Sequence, residues 1–375
     1  MTQATTNAPS TDDREGGERP SDGLSNETLL KWLRDMQLIR EFESRTMQAY
    51  QQAKIGGFCH IYSGQEACAV GTIGSVEHAD PVITAYRDHG HALARGMHPN
   101  ACMAEMFGKL EGCAKGKGGS MHMFDRPNNL FGGHGIVGAQ TPLGAGLAFA
   151  ERYKWEVLGT GEKRVTLCYL GDGAVDQGAF HEAQNLASLW GLPVIYIVEN
   201  NGYSMGTAFE RHTANHENLV DRAKGYAIKA IEFDGLDVLN VYDNMKPLVD
   251  ECRDLQRPGF VDLKTYRYQG HSMSDPQKYR TKDEVDEFKE RDSIAKLAHL
   301  LMTPKDDGGR GCLTEDAWKS LQKELKDVCK QALDFAENAT VPSVEGEMAS
   351  DVYALPMPRL SPNETYHHGG RNPLL

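Results

Sequence analysis

The chain lacks long apolar runs. Its 375 residues include no uninterrupted stretch that approaches the roughly 20 apolar residues of a membrane-spanning helix. The first 25 residues are polar, without the apolar core of a secretory signal, and their acidic side chains at positions 12, 13, 15 and 18 are unlike a transit peptide. We therefore expect a cytoplasmic protein that does not bind membranes, with a disordered tail over residues 1–25.

Positive charge is also scarce. The chain has 40 Lys and Arg residues against 53 Asp and Glu residues, which gives a formal net charge of −13. Nonspecific nucleic-acid binding requires a basic surface, so this composition argues against that class of protein. Anionic substrates or cofactors must then be bound by a few local basic side chains and backbone NH groups.

Several common site motifs are missing. The eight cysteines form no CxxC pair and no zinc-type spacing, which predicts reduced thiols in the core. The chain has no GxxxxGK[ST] loop and no GxSxG elbow, so ATP-binding and serine-hydrolase functions lack their motifs. Residues 133–138 match the dinucleotide pattern GxGxxG, but we expect no buried strand at 128–131 before it and reject that interpretation.

Residues 165–203 contain the most informative pattern in the chain. One apolar run, Val165–Leu170, ends at a Gly-Asp-Gly turn, and a second, Val194–Val198, ends at Glu-Asn-Asn, with helical spacing of apolar residues between them. A parallel strand–helix–strand unit brings Asp172 and Asn201 to one edge of a sheet, where they can bind a cation beside a phosphate. Each motif alone is more typical of a tight turn, but their shared position at strand ends favours a site.

Other apolar segments extend this sheet. Strands are predicted at Val82–Tyr86, Tyr226–Phe233 and Phe260–Tyr268, and a long helix is predicted at Asn26–Gln52. We expect an α/β fold with a mostly parallel open sheet and helices on both faces, an N-terminal helix and a helical C-terminal region over 283–338. The predicted domain spans residues 26–340, followed by an irregular arm over 341–375.

Side chains at the strand ends form a candidate site. The carboxyl ends of parallel strands meet at one edge, so Arg87, Arg267 and His271 are expected near Asp172 and Asn201. An arginine there can bind a phosphate or pair with a neighbouring acid, and the sequence leaves both possibilities open. A lone loop histidine such as the one at position 60 is usually a surface residue.

The Gly-Asp-Gly motif at 171–173 and Asn-Asn-Gly-Tyr at 200–203 are separated by 26 residues, and this arrangement resembles the thiamin diphosphate motif. Segments 57–62, 84–87, 113–122, 135–140 and 266–276 resemble the E1 α-subunit family of pyruvate dehydrogenase, among the thiamin diphosphate-dependent 2-oxo acid dehydrogenases. The resemblance covers about residues 25–340. It implies the thiamin diphosphate-binding fold and oxidative decarboxylation of pyruvate, with acetyl transfer to the lipoyl group of an E2 acyltransferase.

The resemblance also implies residue roles. Mg²⁺ would be bound by Asp172, Asn201 and the backbone carbonyl of Tyr203, and the catalytic pocket would be lined by His60 and His271. The remaining cofactor contacts, to the diphosphate and to the aminopyrimidine, would come from Tyr86, Arg87, Gly135, Val137, Gly171, Gly173, Ala174 and Arg267. The carboxylate that activates the aminopyrimidine would come from a separate β subunit of an α2β2 tetramer, so this chain alone is expected to be inactive.

Some positions depart from the family pattern. Asp176 stands where an asparagine is usual, which predicts an extra negative charge near the diphosphate, and Gln269 replaces a common histidine. Ser272 matches a phosphorylated serine of eukaryotic members, but the serine usual shortly before Tyr279 is absent, which argues against kinase control. An acetoin dehydrogenase α subunit and a catalytically silent cofactor-binding scaffold remain alternatives. Branched-chain enzymes match the residues of these motifs less well.

Overall fold

A six-stranded parallel sheet forms the centre of the protein, in the strand order β2-β1-β3-β4-β8-β7. The computed structural model describes residues 19–344 and 346–347. A short antiparallel pair, β5 with β6, lies apart from the main sheet. The strands in chain order are β1 (Val82–Ala85), β2 (Leu130–His134), β3 (Thr166–Gly171), β4 (Val194–Asn200), β5 (Tyr203–Ser204), β6 (Thr207–Ala208), β7 (Lys229–Asp234) and β8 (Gly259–Lys264).

Eleven α-helices in the described residues surround this sheet. They are α1 (Asn26–Gln51), α2 (Glu66–Gly74), α3 (His89–Ala94), α4 (Pro99–Met106), α5 (Gln140–Tyr153), α6 (Gly178–Trp190), α7 (Asp221–Lys224), α8 (Val238–Leu255), α9 (Lys282–Glu290), α10 (Ser293–Met302) and α11 (Glu315–Asn338). No helix among the described residues is long and apolar enough to cross a bilayer.

The sheet has a hydrophobic core on each face because successive strand residues point to opposite sides. Leu167 and Tyr169 of β3 pack with α1, α2 and α8 in one core. Cys168 and Leu170 pack with α5 and α6 in the other. Both faces of the sheet are therefore covered by helices, which confirms the predicted α/β architecture.

Local signals in the sequence place several helix ends correctly. Ser25 caps α1 by accepting a hydrogen bond from the backbone NH of Thr28 at 3.1 Å, and Asp237 caps α8 in the same way through Leu239 at 2.9 Å. Helix α6 ends at Gly191, whose φ of 60° is left-handed and favours glycine. These helix ends fix where the flanking loops begin or end.

Strand β2 corrects one prediction. Residues 130–134 pair in parallel with β1, and Leu130 is buried, so the expectation that no strand precedes the GxGxxG segment was wrong. The strand was missed because it lies at the edge of the sheet and contains two glycines, which weakens the apolar pattern. The dinucleotide interpretation still fails, because the next strand, β3, ends well beyond the roughly 20 residues that the fingerprint requires.

The described structure begins before the predicted tail boundary. Pro20–Gly23 forms a 3-10 turn, and the Ser21 hydroxyl donates a hydrogen bond to Asp243 on α8 at 2.8 Å. Packed structure thus starts earlier than the boundary predicted at residue 25, while residues 1–18 of the predicted tail lie outside the described residues. Most of the predicted C-terminal arm, residue 345 and residues 348–375, also lies outside them.

Candidate cofactor site

A cavity of about 840 Å³ opens at the carboxyl edge of the sheet. It is built by the segments that follow five neighbouring strands, β2, β1, β3, β4 and β8, and by the loop between α1 and α2, which carries His60. All thirteen residues that sequence reasoning assigned to the site line this cavity, namely His60, Tyr86, Arg87, Gly135, Val137, Gly171, Asp172, Gly173, Ala174, Asn201, Tyr203, Arg267 and His271. The parallel topology therefore brings together residues that are more than 200 positions apart.

Asp172 is the first residue after β3 and begins a 3-10 turn. Its side chain is almost fully buried, and its Oδ2 atom has no hydrogen-bond partner among the described residues. Burial raises the pKa of the Asp172 carboxyl to about 6, against the opposing effect of Arg267 and His212. A buried carboxylate oxygen without a partner is well suited to bind a cation.

Asn201 and Tyr203 present two oxygens on the loop after β4. Arg267 donates from Nη1 to Asn201 Oδ1 at 3.0 Å and to the Tyr203 carbonyl at 2.9 Å. Its Nη2 donates to the Met205 carbonyl at 2.5 Å and to the Tyr279 hydroxyl at 2.8 Å. The buried guanidinium thus shapes the loop that carries both oxygens, and these oxygens already have a positively charged neighbour.

The metal-ligand set differs from that of a typical His or Cys site. In the described part of the chain, no three His, Cys, Asp or Glu side chains form a metal-binding cluster. A cation at this edge would instead be bound by one carboxylate, one amide oxygen and one backbone carbonyl. Such hard oxygen ligands suit Mg²⁺, which keeps several further positions for water and phosphate oxygens.

Arg87 joins the two loops that carry the pocket histidines. Its Nη1 donates to the carbonyl of Ile61 at 2.7 Å, and its Nη2 donates to the carbonyl of His271 at 2.7 Å. Burial lowers the pKa of Arg87, because the charged guanidinium is removed from water. The structure thus gives this arginine a role in holding backbone, beside the diphosphate contact predicted from the sequence.

The two histidines lie together with Tyr86. The His60 ring centroid is 4.5 Å from that of Tyr86 and 5.1 Å from that of His271. Burial, followed by the charge of Arg87, lowers the pKa of His60 to about 2 and that of His271 to about 4. Both imidazoles are therefore neutral near pH 7. His60 is a buried residue, unlike the surface position typical of a lone loop histidine.

Glycine permits close approach at the Gly-Asp-Gly turn. A Cβ atom at Gly173 would clash with the Ser204 hydroxyl of the neighbouring loop. Gly173 and Ala174 both line the cavity, so the backbone of this turn lies against it. The site prediction for Gly173 and Ala174 relied on this type of backbone contact.

The glycine-rich loop at 112–119 surrounds a buried side chain of the protein itself. Glu105 on α4 is fully buried, and its carboxylate accepts hydrogen bonds of 2.7–3.0 Å from four backbone NH groups. The donors are Ala114, Gly116, Gly118 and Gly119. The loop at 112–119 therefore encloses a carboxylate, whereas Met121 and the glycine-rich residues around Gly135 line the cavity.

Sequence reasoning missed two acidic residues of the cavity, Glu199 and Asp275. Glu199 lies at the end of β4, where its side chain is 9% exposed, and it lines the cavity. Its carboxylate accepts a hydrogen bond from the Tyr62 hydroxyl and lies 3.2 Å from His91 Nε2. An acid next to the Asn-Asn-Gly-Tyr motif, at the end of a buried strand, was the available signal.

Asp176 faces away from the cavity. Its carboxylate pairs with Arg222 at 2.7 Å and accepts a hydrogen bond from the Thr213 hydroxyl at 2.9 Å. Asp176 is not among the residues that line the cavity. The extra negative charge is therefore paired with Arg222 outside the cavity lining. His212 lies between this carboxylate and the site, with Nδ1 3.6 Å from Asp176 Oδ2 and Nε2 3.9 Å from Asp172 Oδ2.

Comparison with known proteins gives a consistent family. The profile of the family described as dehydrogenase E1 component matches residues 34–345. The chain is 46% identical over 329 residues to the pyruvate dehydrogenase E1 component subunit alpha of Rhizobium meliloti, covering 88% of this chain and 91% of that protein. It is 44% identical over 327 residues to the protein of the same name from Rickettsia typhi, covering 87% and 96%.

A more distant relative extends this similarity to animals. The chain is 41% identical over 341 residues to a protein of Caenorhabditis elegans named probable pyruvate dehydrogenase E1 component subunit alpha, mitochondrial, covering 90% of this chain and 81% of that protein. The matches extend over nearly the whole described structure, including every strand end that builds the cavity. The chain therefore belongs to the dehydrogenase E1 component family.

Proposed function

We propose that this chain is the α subunit of the E1 component of pyruvate dehydrogenase. With a β subunit it catalyses oxidative decarboxylation of pyruvate and transfers the acetyl group to the lipoyl group of an E2 acyltransferase. The observation that carries the proposal is one cavity in which five strand ends assemble a carboxylate, an amide, two arginines and His271, while the loop between α1 and α2 adds His60. The names of the relatives support pyruvate as the substrate.

The cavity residues suit thiamin diphosphate with Mg²⁺. The unpartnered Oδ2 atom of Asp172, with Asn201 Oδ1 and the Tyr203 carbonyl, would bind the cation. The backbone NH groups of Gly173 and Ala174 would hold the diphosphate, as would Arg267. When bound, thiamin diphosphate supplies the electron sink that decarboxylation of a 2-oxo acid requires.

The protein's own contribution at the reacting end is orientation and proton transfer. His60 and His271 are neutral near pH 7 because burial lowers the pKa of each imidazole. A neutral imidazole can accept or donate a proton beside the substrate. Arg87 fixes the backbone of both histidine loops through the Ile61 and His271 carbonyls, so both rings are held in place before a substrate arrives.

The need for a partner follows from the acids of the cavity. Three acidic residues line it, and each is committed: Asp172 to the proposed cation, Glu199 to Tyr62 and His91, and Asp275 to the His271 NH at 2.7 Å and to the Tyr279 hydroxyl at 2.6 Å. None is left to activate the aminopyrimidine. This supports a β subunit that supplies the carboxylate in an α2β2 assembly.

The cellular setting is a further part of the proposal. E2 would act as the acetyl acceptor, and the cytoplasm would be the compartment. Fractionation of cells that express the tagged chain, probed for co-sedimentation with E2, tests both points. A membrane-bound chain, or one that does not sediment with E2, contradicts them.

The central test is reconstitution. The chain is co-expressed with its β subunit, and pyruvate decarboxylation is followed with a dye acceptor, with and without thiamin diphosphate and Mg²⁺. We expect turnover only with both subunits and both additions. Turnover by the α chain alone overturns the shared site, turnover of acetoin in place of pyruvate overturns the substrate, and cofactor binding without any turnover favours a silent scaffold.

A further inference from the structure

Behind the cavity wall lies a buried Glu–His–Ser chain that the proposed mechanism has not used. His89 Nδ1 is 3.0 and 3.1 Å from the two carboxylate oxygens of Glu43, and His89 Nε2 is 2.8 Å from the Ser120 hydroxyl. Glu43 and His89 have no exposed surface, and Ser120 is 3% exposed. The spacing resembles that of a nucleophilic triad.

The hydrogen bonds exclude that function. His89 Nε2 is also 3.1 Å from the backbone carbonyl of Ser120, which can only accept, so Nε2 carries a proton. Nδ1 faces the carboxylate of Glu43 and carries one too. Burial lowers the pKa of His89, but Glu43 and these hydrogen bonds more than reverse that effect and raise it. A protonated imidazole cannot remove the serine proton, so Ser120 is an acceptor in this chain.

Ser120 and Glu43, at the two ends of this side-chain network, hold the backbone of one cavity loop. The His60 NH donates to the Ser120 hydroxyl at 3.3 Å, and the Tyr62 NH donates to Glu43 Oε1 at 2.7 Å. The carbonyl between them, that of Ile61, accepts from Arg87 at 2.7 Å. Three consecutive backbone groups are thus fixed by three separate side chains.

The network of Glu43, His89 and Ser120, called the backbone clamp below, has one direct effect on the cavity. His60 is the clamped residue whose side chain lines it, and no hydrogen bond restrains its ring Nδ1 atom among the described residues. The ring position therefore depends on the backbone and on contacts with Tyr86 and His271. We propose that Glu43, His89 and Ser120 are positioning residues that hold the His60 imidazole in its catalytic place, an inference that rests on the proposed function.

The test compares Ser120→Ala with Ser63→Ala in the assembled α and β enzyme with thiamin diphosphate and Mg²⁺. Ser120→Ala removes the His60 NH acceptor but leaves His89 the Ser120 carbonyl, so the fold is retained. Ser63 lies on the same loop, is equally buried, and its hydroxyl has no partner in the described residues, which makes it a matched control. The readouts are amide hydrogen exchange of peptides spanning residues 57–63, kcat, KM and cofactor affinity.

We expect Ser120→Ala to speed exchange in residues 57–63 and to lower kcat by about tenfold to 100-fold, with cofactor affinity unchanged, because a small displacement of a catalytic group has effects of this size. Ser63→Ala should change neither. Exchange equal to that of the control overturns the clamp, and faster exchange with unchanged kcat overturns its role in positioning. Inactivity of the unaltered assembled enzyme overturns the proposed function instead, and exchange still decides whether the clamp exists.

Discussion

The guanidinium of Arg267 donates from Nη1 to Asn201 Oδ1 at 3.0 Å. The same nitrogen donates to the Tyr203 carbonyl at 2.9 Å, so one buried side chain contacts both oxygens that the proposed cation would use. Each of these oxygens has two lone pairs, so the Tyr203 carbonyl can serve the arginine and a cation together. Asn201 Oδ1 also accepts the Tyr203 NH at 3.3 Å, a weak bond that a cation would have to displace. Arg267 therefore preorganises the loop that would hold the cation, as well as lining the cavity.

Replacing Arg267 with lysine should weaken cofactor binding. A lysine ammonium cannot reach the acceptors on Asn201, Tyr203 and Met205 in the planar arrangement of a guanidinium, so the loop loses its order. We expect thiamin diphosphate affinity in the presence of Mg²⁺ to fall by about 10-fold to 100-fold, as for other residues that orient metal ligands. Titration calorimetry measures this. Lys264→Arg, outside the cavity lining, serves as the control, and equal affinities would contradict the role.

Asp172→Asn should separate cofactor binding from folding. The substitution keeps an oxygen ligand but removes the charge, so cofactor affinity with Mg²⁺ should drop by at least about 100-fold. Because Oδ2 of the buried Asp172 has no hydrogen-bond partner among the described residues, and His212 Nε2 lies no nearer than 3.9 Å, the Tm of the chain without cofactor should stay the same or rise. Calorimetry and thermal unfolding give the two values. A lower Tm with normal affinity would show that Asp172 is a structural residue.

His271→Ala should impair turnover more than folding. The backbone NH of His271 bonds to Asp275 and its carbonyl to Arg87, and both contacts survive loss of the ring. We expect kcat for pyruvate to fall by about 100-fold or more, with a Tm change of a few degrees at most. His299→Ala on α10, away from the cavity, controls for loss of an imidazole. Comparable losses in both variants would remove His271 from the mechanism.

The buried histidines predict acid sensitivity of the fold. Burial lowers the pKa of His60 to about 2, whereas the unfolded chain titrates near the ordinary value of 6.5. Below pH 6.5 the unfolded state takes up a proton that the folded state cannot, so stability falls as pH decreases. The loss for this residue between pH 6.5 and 5 is about 2 kcal/mol. Urea unfolding of wild type and His60→Gln at pH 7 and pH 5 checks this, because the variant should lose less stability by that amount. Identical losses would contradict the shifted pKa.

Asp176→Asn should leave the cofactor site unaffected. The carboxylate pairs with Arg222 and Thr213 outside the cavity, and the Asp176 side chain is 38% exposed. Loss of such a pair should lower the free energy of unfolding by about 0.2–1 kcal/mol. Thiamin diphosphate affinity should not change, which makes this variant the matched control for Asp172→Asn. Tighter cofactor binding in Asp176→Asn would show that the charge does reach the diphosphate.

Patterns within one element were readable from the sequence, and contacts between distant elements were not. Strands β3 and β4 are unbroken apolar runs, so their ends at Asp172 and Asn201 could be placed in advance. The partners of Arg87, which are carbonyls at positions 61 and 271, depend on how two remote loops meet. Sequence left open whether Arg87 binds an anion or an acid, and the structure shows a third partner, the backbone.

The same limit applies to the glycine-rich loop. A buried carboxylate such as that of Glu105, which accepts hydrogen bonds from the backbone NH groups of this loop, has no local signature in the sequence. Likewise, the edge strand β2 pairs with a strand of the sheet on one side alone, so its sequence carries little of the apolar pattern that marks a central strand.

Enclosure of Glu105 by four backbone NH groups has a consequence for how fast a cofactor can bind. The carboxylate that holds the loop at 112–119 belongs to the protein itself, so the loop is ordered whether or not a ligand is bound. Met121, which follows that loop and lines the cavity, is therefore held on an already folded wall. Association then loses no conformational entropy in ordering this wall, so this part of the cavity does not slow cofactor binding.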